Sequence, residues 1–384
     1  MLINRTTELR IICEKLKARQ PEFIAVDTEF IKDNKSYYFK LCLIQISCSG
    51  ISFVVDVLSN ELDLLPLAQL LLNTKIIKMF HGCRQDLEVL FTVFSEAISP
   101  IFDTQIATMF CYYYENFVGY SKLVEQIKGV RLNKKKLKSS NWLKRPLSEE
   151  QIEYALNDVT HLYDLYTVLY DKLVENNRIL WFLEEMQKVS DVNTYVNNPR
   201  EAWKRVKFDT KLQAESITAI KAICQWREIL ARRYNINRDH IVNGTKIASI
   251  AEKCLMHNMV IKDCIEKYVK EILTERDFLE FPKILEENKD VRHDLNNNFL
   301  YYKKSTLDIL LMLLYDRCQA HHISQRLVAS KNEIIKSICR QDSDLSRGWR
   351  YEFFGKYVDN FVNGNSEIVI STNKIDCKTI DIQL

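Results

Sequence analysis

Apolar positions along the chain follow two rhythms. Before residue 180 there are short continuous or alternating runs of strand length: "FIAVDTEF" (23–30), "KLCLIQISC" (40–48), "ISFVVDV" (51–57) and "KIIKMFH" (75–81). Helical patterns lie among them, including "DLEVLFTVF" from Asp86 and "TQIATMFCYYY" from Thr104. Strands followed by helices in one block predict an α/β domain built on a mixed sheet. A longer helix is marked by Ser148 and Gln151 in a capping box, with Pro146 blocking any earlier start. From there Ile152, Ala155, Val159, Leu162, Leu165 and Leu169 form one apolar stripe. "DVNTYVNNPREAW" (191–203) interrupts the pattern and reads as a linker.

After residue 205 only the helical rhythm remains. "LQAESITAIKAICQWREILARRYN" and "TKIASIAEKCLMHNM" are amphipathic helices joined by the polar turn "NINRDHIVNG". A similar layout returns in "LDILLMLLYDRCQAHHIS" and "QRLVASKNEIIKSICR". The expected organisation is therefore one α/β domain over residues 1–190 and two small all-α domains over 205–288 and 295–370. The tail from Asn363 is expected to be poorly structured.

Composition narrows the class. Eight glycines and six prolines in 384 residues fit long helices and few tight turns. A net charge of +3 does not by itself imply nucleic-acid binding, so any basic surface must be local. Eleven cysteines with no C-x-x-C pair read as reduced thiols, not as a disulfide framework or a zinc site. The N-terminus has no apolar core of a signal peptide. "LDLLPLAQLLL" and "LDILLMLLY" fall well short of the ~20 residues that span a bilayer. No membrane association and a cytoplasmic location are expected.

The candidate chemistry begins where the first long strand ends. Asp27 and Glu29 are one residue apart in a strand, so they share a face while Thr28 points the other way. Two carboxylates about 4 Å apart repel by roughly 4 kcal/mol at an effective dielectric near 20. Such a pair calls for a cation, a shared proton or full solvation at an exposed strand end. Asp86 opens a helix directly after the fourth strand run, and Tyr154 and Asp158 lie four apart on one helix face. If Asp27, Glu29, Asp86 and Asp158 converge, an all-oxygen set without a His or Cys cluster selects Mg²⁺ or Mn²⁺. Two such ions about 3.5–4 Å apart would form the clamp used in phosphodiester hydrolysis.

"VDTEF", "HGCRQDLE" and "YALND", in this order, resemble motifs I, II and III of the DEDD 3′→5′ exonucleases, and within them the ribonuclease D family. The resemblance extends through "FDTQIA" (102–107), "NWLKRPLS" (141–148) and "REAWKRV" (200–206). It implies an RNase H-like mixed-sheet domain, with Asp27, Glu29, Asp86 and Asp158 holding two divalent cations. Tyr154 would orient the attacking water, as in the tyrosine-bearing branch. A phenol near pKa 10 suits hydrogen bonding at neutral pH better than it suits a base.

The helical domains are similar to the HRDC domain shared by RecQ-type helicases and ribonuclease D, on "WREILARRYNINRDHIV" and, more divergently, "GWRYEFFGK" (348–356). The implied activity is trimming of precursor-tRNA 3′ ends by a monomer, with release of nucleoside 5′-monophosphates. A DNA 3′→5′ exonuclease and an inactive RNA-binding scaffold stand as alternatives, because the same carboxylates cleave both polymers.

The basic loop "GVRLNKKKLKSSNWLKRP" (129–146) contributes Lys134, Lys138 and Arg145 as candidate phosphate contacts, against a solvated lysine run. Here Asn141 stands where the family usually has an acidic residue before tryptophan, and Asn133 where it often has aspartate. Phe30 and Gln45 flank the expected site and would stack on or hydrogen-bond the terminal nucleotide. Asp103 is expected to cap the helix from Thr104, Asp56 to be a strand-end acid, and His81 and His161 to be structural. Trp226 is expected in the core of the first helical domain.

Overall fold

The computed structural model describes residues 1–112, 114, 117–132, 140–209, 212–256, 273–289, 302–371 and 374–379. The chain divides into two compact units. One comprises Met1–Glu29, Cys42–Asp191 and Phe299–Leu384, and the other Phe30–Leu41 and Val192–Asn298.

The first unit is built on a six-stranded sheet of β1 (Leu2–Ile3), β2 (Phe23–Ile31), β3 (Lys40–Cys48), β4 (Ile51–Asp56), β5 (Ile77–Phe80) and β6 (Ile101–Asp103). Their order across the sheet is β1-β4-β3-β2-β5-β6. β3 and β4 run antiparallel, whereas β2–β5, β5–β6 and β1–β4 are parallel. The sheet is thus mixed, as the run of strands predicts. β1 and β6, of two and three residues, are too short to leave a periodic signal. Ile24, Ala25 and Val26 in β2, Leu43, Ile44 and Ile46 in β3, and Val54 and Val55 in β4 are fully buried.

Seven helices accompany the sheet: α1 (Thr6–Ala18), α2 (Leu65–Leu71), α3 (Arg84–Phe94), α4 (Thr104–Cys111), α5 (Tyr120–Lys128), α6 (Glu149–Glu175) and α7 (Ile179–Ser190). α6 starts at the expected capping box, where the Ser148 hydroxyl accepts from the Gln151 amide and the Gln151 side chain accepts in return from the Ser148 amide. Its buried stripe comprises Ala155, Val159, Leu162, Leu165 and Leu169, with Tyr166 and Leu173 added. Ile152 is only half-buried. α6 packs on β4, β5 and α4.

The C-terminal helices pack with the sheet. Lys304–Ala320, Gln325–Val328, Lys331–Ile338 and Lys356–Val362 belong to the same compact unit as the sheet. Glu185 of α7 receives both Arg350 terminal nitrogens and the Trp349 indole N–H, the latter at 2.9 Å. The Trp349 ring stacks on Trp181 with centroids 5.4 Å apart and meets Phe110 at 5.1 Å. Arg178 donates to the carbonyls of Phe110 and His321. The segment "GWRYEFFGK" thus serves as a clasp on the sheet domain. Beyond it, β7 (Ser366–Ser371) pairs antiparallel with β8 (Lys374–Thr379), which corrects the expectation of an unstructured tail and of no strand after residue 205.

The second unit is helical around Trp226, which is fully buried and donates its indole N–H to the Asp277 carbonyl at 2.9 Å. Phe278 and Phe281 meet its ring. Helices Ala214–Arg233, Ile247–Met256 and Glu275–Lys289 supply the core. The expected linker is partly folded here: Pro199–Arg205 is a 3₁₀ helix, and Ala202 joins that core. Among the described residues, no helix is long and apolar enough to cross a membrane.

Candidate active site

The site is fixed by one strand face and one helix. Phe23 stacks on Tyr166 of α6 with ring centroids 4.1 Å apart and meets Tyr163 at 4.6 Å, so its face of β2 is turned toward α6. Alternation places Ala25, Asp27 and Glu29 on that same face. From Phe23 to Asp27 the strand rises about 13 Å. From Tyr166 back to Asp158 the helix rises about 12 Å. The two elements therefore reach the end of the strand together. Carboxylate oxygens of Asp27, Glu29 and Asp158 all lie within 4.8 Å of one another. Among the described residues this is the one group of three or more His, Cys, Asp or Glu side chains so arranged.

Asp86 comes to this region from the other direction. β5 runs parallel to β2, with Ala25 opposite Met79, and it leads through His81-Gly82-Cys83 into α3. The Asp86 carboxylate is buried and accepts a hydrogen bond from the Thr28 hydroxyl, on the face of β2 opposite Asp27. Burial and then the Asp27 charge raise its pKa well above the usual carboxylate range. Asp86 is thus felt electrostatically by Asp27 but stands outside the three-carboxylate group. The turn before α3 is held by Asp103, whose carboxylate accepts from the amides of Gly82 at 3.0 Å and Cys83 at 2.9 Å. The same carboxylate caps α4 through the Gln105 amide at 2.8 Å, the capping role expected for it. His81 is bonded between the Thr104 hydroxyl and the Val118 carbonyl, in keeping with a structural role.

Tyr154 lies one turn before Asp158 on α6, with its ring 5.9 Å from that of buried Trp142. Burial, then the charges of Glu29 and Asp27, push its phenol up to about 12. It is a hydrogen-bond donor at neutral pH and no base.

Two supports of this site, Thr28 and Tyr120, left no signal in the sequence, and a third, Arg145, was expected in another role. Thr28 holds Asp86 from the opposite strand face. Tyr120, whose hydroxyl donates to the Asn157 carbonyl at 3.0 Å, has its phenol pushed well up by burial and by Asp27. Arg145 clasps Asp56 through Nε and Nη2 at 2.6 Å each, and donates to the Trp142 carbonyl at 2.7 Å. Arg145, expected at a phosphate, here has its guanidinium engaged by Asp56 and by the carbonyl of Trp142, whose ring neighbours Tyr154. Gln45 is fully buried within the sheet. Phe30 belongs to the second compact unit, where its ring meets Phe39 edge-on at 5.0 Å. Lys134 and Lys138 lie outside the described residues.

The donor set fits a hard divalent cation: it is all oxygen, two of its acids are half-buried and one is buried, and the carboxylates are close enough to need a countercharge. Acids of β2 and α6 thus meet at one end of the sheet, as a hard-cation site requires. A family model described as 3′-5′ exonuclease matches residues 2–174. Ribonuclease D from Bartonella henselae is 32% identical over 99% of this chain and 94% of its own length. Ribonuclease D from Zymomonas mobilis subsp. mobilis is 32% identical over 99% of this chain and 98% of its own. The crystal structure of Escherichia coli RNase D, an exoribonuclease involved in structured RNA processing, superposes with a TM-score of 0.76. That structure is 25% identical and covers 95% of this chain and 98% of its own. The catalytic core of RRP6 from Trypanosoma brucei gives 0.51 at 25% identity, over 75% of this chain and 78% of its own. The chain belongs to the ribonuclease D family. It is a 3′→5′ exoribonuclease that depends on divalent metal and takes RNA as its partner.

Proposed function

We propose that this exoribonuclease trims the 3′ ends of precursor tRNA as a monomer, releasing nucleoside 5′-monophosphates, with two divalent cations, Mg²⁺ or Mn²⁺, at the strand end. The observation that carries this reading is the meeting of Asp27, Glu29 and Asp158 within 4.8 Å beside Tyr154. These three acids would hold one cation. Asp86, buried within electrostatic reach of Asp27, would join Asp27 in holding a second. Bound cations at such a cluster favour ionisation of the attacking water and offset charge on the leaving 3′-oxygen.

The chain's own contribution is placement. Tyr154 keeps its proton and donates it as a hydrogen bond to the attacking water, fixing its direction. Trp142, seated by Arg145, limits where the phenol can swing. Thr28 holds the Asp86 carboxylate in one orientation. The segments 205–288 and 295–370, read as HRDC-type modules, would hold the folded body of the RNA while a single-stranded end enters the cation site. Lys134 and Lys138 in the basic loop, and Phe30 after Glu29, are the proposed contacts to that end.

The test uses precursor tRNA with a 3′ trailer, together with DNA of the trailer sequence, incubated with Mg²⁺, Mn²⁺ or EDTA. Stepwise loss of the trailer as mononucleotides from RNA, abolished by EDTA, is expected. Equal release from DNA would contradict the RNA preference, and an untouched trailer would contradict the substrate.

A further inference from the structure

Within the second unit, residues of 32–37, 202–207 and 227–245 line an open cleft of about 500 Å³. This is the size of a small-ligand site, larger than one inorganic ion needs. Five cationic side chains line it, Lys32, Arg205, Lys207, Arg227 and Arg238, against the carboxylates of Glu228 and Asp239. The excess is three positive charges.

The carboxylates are already engaged. Glu228, buried, takes both Nε and Nη2 of Arg238, accepts from the Tyr37 hydroxyl at 2.6 Å and lies 3.7 Å from Arg205. Asp239 accepts from the Gly244 amide at 3.0 Å and stands 3.5 Å from Arg227 Nη1.

Arg227 is the unusual member. It is 5% exposed, its Nη1 donates to the Val242 carbonyl at 2.9 Å, and its Nε is buried with no hydrogen-bond partner among the described residues. Burial lowers the pKa of its guanidinium below the usual arginine value. A guanidinium withdrawn from water beside a cleft of net positive charge gains from an anion that brings countercharge and acceptor oxygens. Carboxylates supply two such oxygens in one plane. A phosphate spreads its oxygens tetrahedrally and brings one negative charge as a backbone diester or up to two as a monoester, offsetting part of the excess of three. The remaining volume, edged by Tyr37, Asn237 and Asn243, would take a sugar or base.

We propose that this cleft is a phosphoryl-binding site for a nucleotide, carried either within an RNA strand or as a free mononucleotide. It rests on the reading of RNA as the substrate and adds an anion-binding subsite built wholly from residues of the second unit. As a strand site it would hold one backbone phosphate. As a mononucleotide site it would sense product.

The full chain, stripped of cations with EDTA so that no RNA is degraded, is titrated with inorganic phosphate, AMP and a labelled single-stranded RNA. Arg227→Gln is compared with Lys32→Gln/Lys207→Gln, whose two lysines lie at the mouth of the cleft and leave the buried network intact. We expect affinity to fall at least tenfold in the first variant and about three- to tenfold in the second, with the second melting like wild type. A loss confined to RNA, with the salt slope reduced by about one, assigns the site to a strand phosphate. A loss for AMP, which competes with RNA on the wild type, assigns it to a mononucleotide. Phosphate, AMP and RNA affinities within twofold of wild type in both variants would overturn the proposal. So would a wild type that binds none of them. Mg²⁺-dependent hydrolysis by the wild type is measured separately and reports on the functional reading alone.

Discussion

At the residue scale, the central fact is how differently the four acids are treated. Asp27 and Glu29 are half-buried, Asp158 is buried beside them, and Asp86 is buried behind them on the Thr28 hydroxyl. Asp27→Asn removes the acid shared by both proposed cation positions. It should lower kcat by about a thousandfold or more while RNA binding persists, measured by single-turnover kinetics beside a binding titration. Tyr154→Phe keeps the ring on Trp142 and loses only the donor. A fall in kcat of about 10- to 100-fold with unchanged cation affinity is expected. Asp86 yields a prediction of opposite sign for stability. Its raised pKa means that the folded chain keeps this proton to higher pH than the unfolded chain does. Stability of the cation-free chain therefore falls as pH rises from about 4 through the raised folded value. Asp86→Asn should melt at least about 2–4 °C higher than wild type at pH 7 in EDTA, and be inactive with cations present.

At the scale of elements, α6 acts as a ruler laid along β2, with the aromatic contact at Phe23 setting the register that delivers Asp158 to Asp27. This much was legible beforehand. The capping box fixed where α6 begins, strand alternation paired Asp27 with Glu29, and a four-residue spacing aligned Tyr154 with Asp158. What was not legible depends on which face a side chain meets after folding. Arg145 looked like a phosphate ligand because its sequence neighbours are lysines, yet a carboxylate distant in sequence, Asp56, claims it. Gln45 looked like a site residue because its strand neighbours the acidic one, yet a central strand is covered on both sides. Thr28 went unnoticed because alternation points it away from the acids on either side, and only the return of α3 explains it.

The clasp at 348–355 was read as a divergent repeat because a helix period says nothing about the partner of its buried face. Its glycines are specific. A Cβ on Gly355 would lie 1.9 Å from the Leu345 carbonyl oxygen, and Gly348 adopts φ +60° with its Cβ direction occupied by Glu184. For Glu185, burial alone would raise the carboxyl, but Arg350 and Trp349 outweigh it and hold the pKa below normal. Its stabilising share is present above the unfolded value of about 4.3 and is lost as pH falls through the lowered folded value. Arg350→Ala leaves that carboxylate buried and unpaired. A loss of about 3–5 kcal/mol at neutral pH is expected by chemical denaturation, diminishing toward pH 3.

At the scale of the whole molecule, the chain clusters into two compact units, and the last helical segment groups with the sheet. Truncation after residue 298 should therefore damage the nuclease itself, and not only substrate docking. The shortened chain loses the Trp349 and Arg350 contacts to α7, and its thermal unfolding should broaden and fall by more than about 5 °C. Activity as a whole depends on acids from separated segments sharing cations. Calorimetric titration of Mn²⁺ into the EDTA-stripped chain reads this directly. Two ions per chain should bind to the wild type, and Asp158→Asn should lose one of them or weaken it at least tenfold. Unchanged stoichiometry and affinity in Asp158→Asn would contradict it.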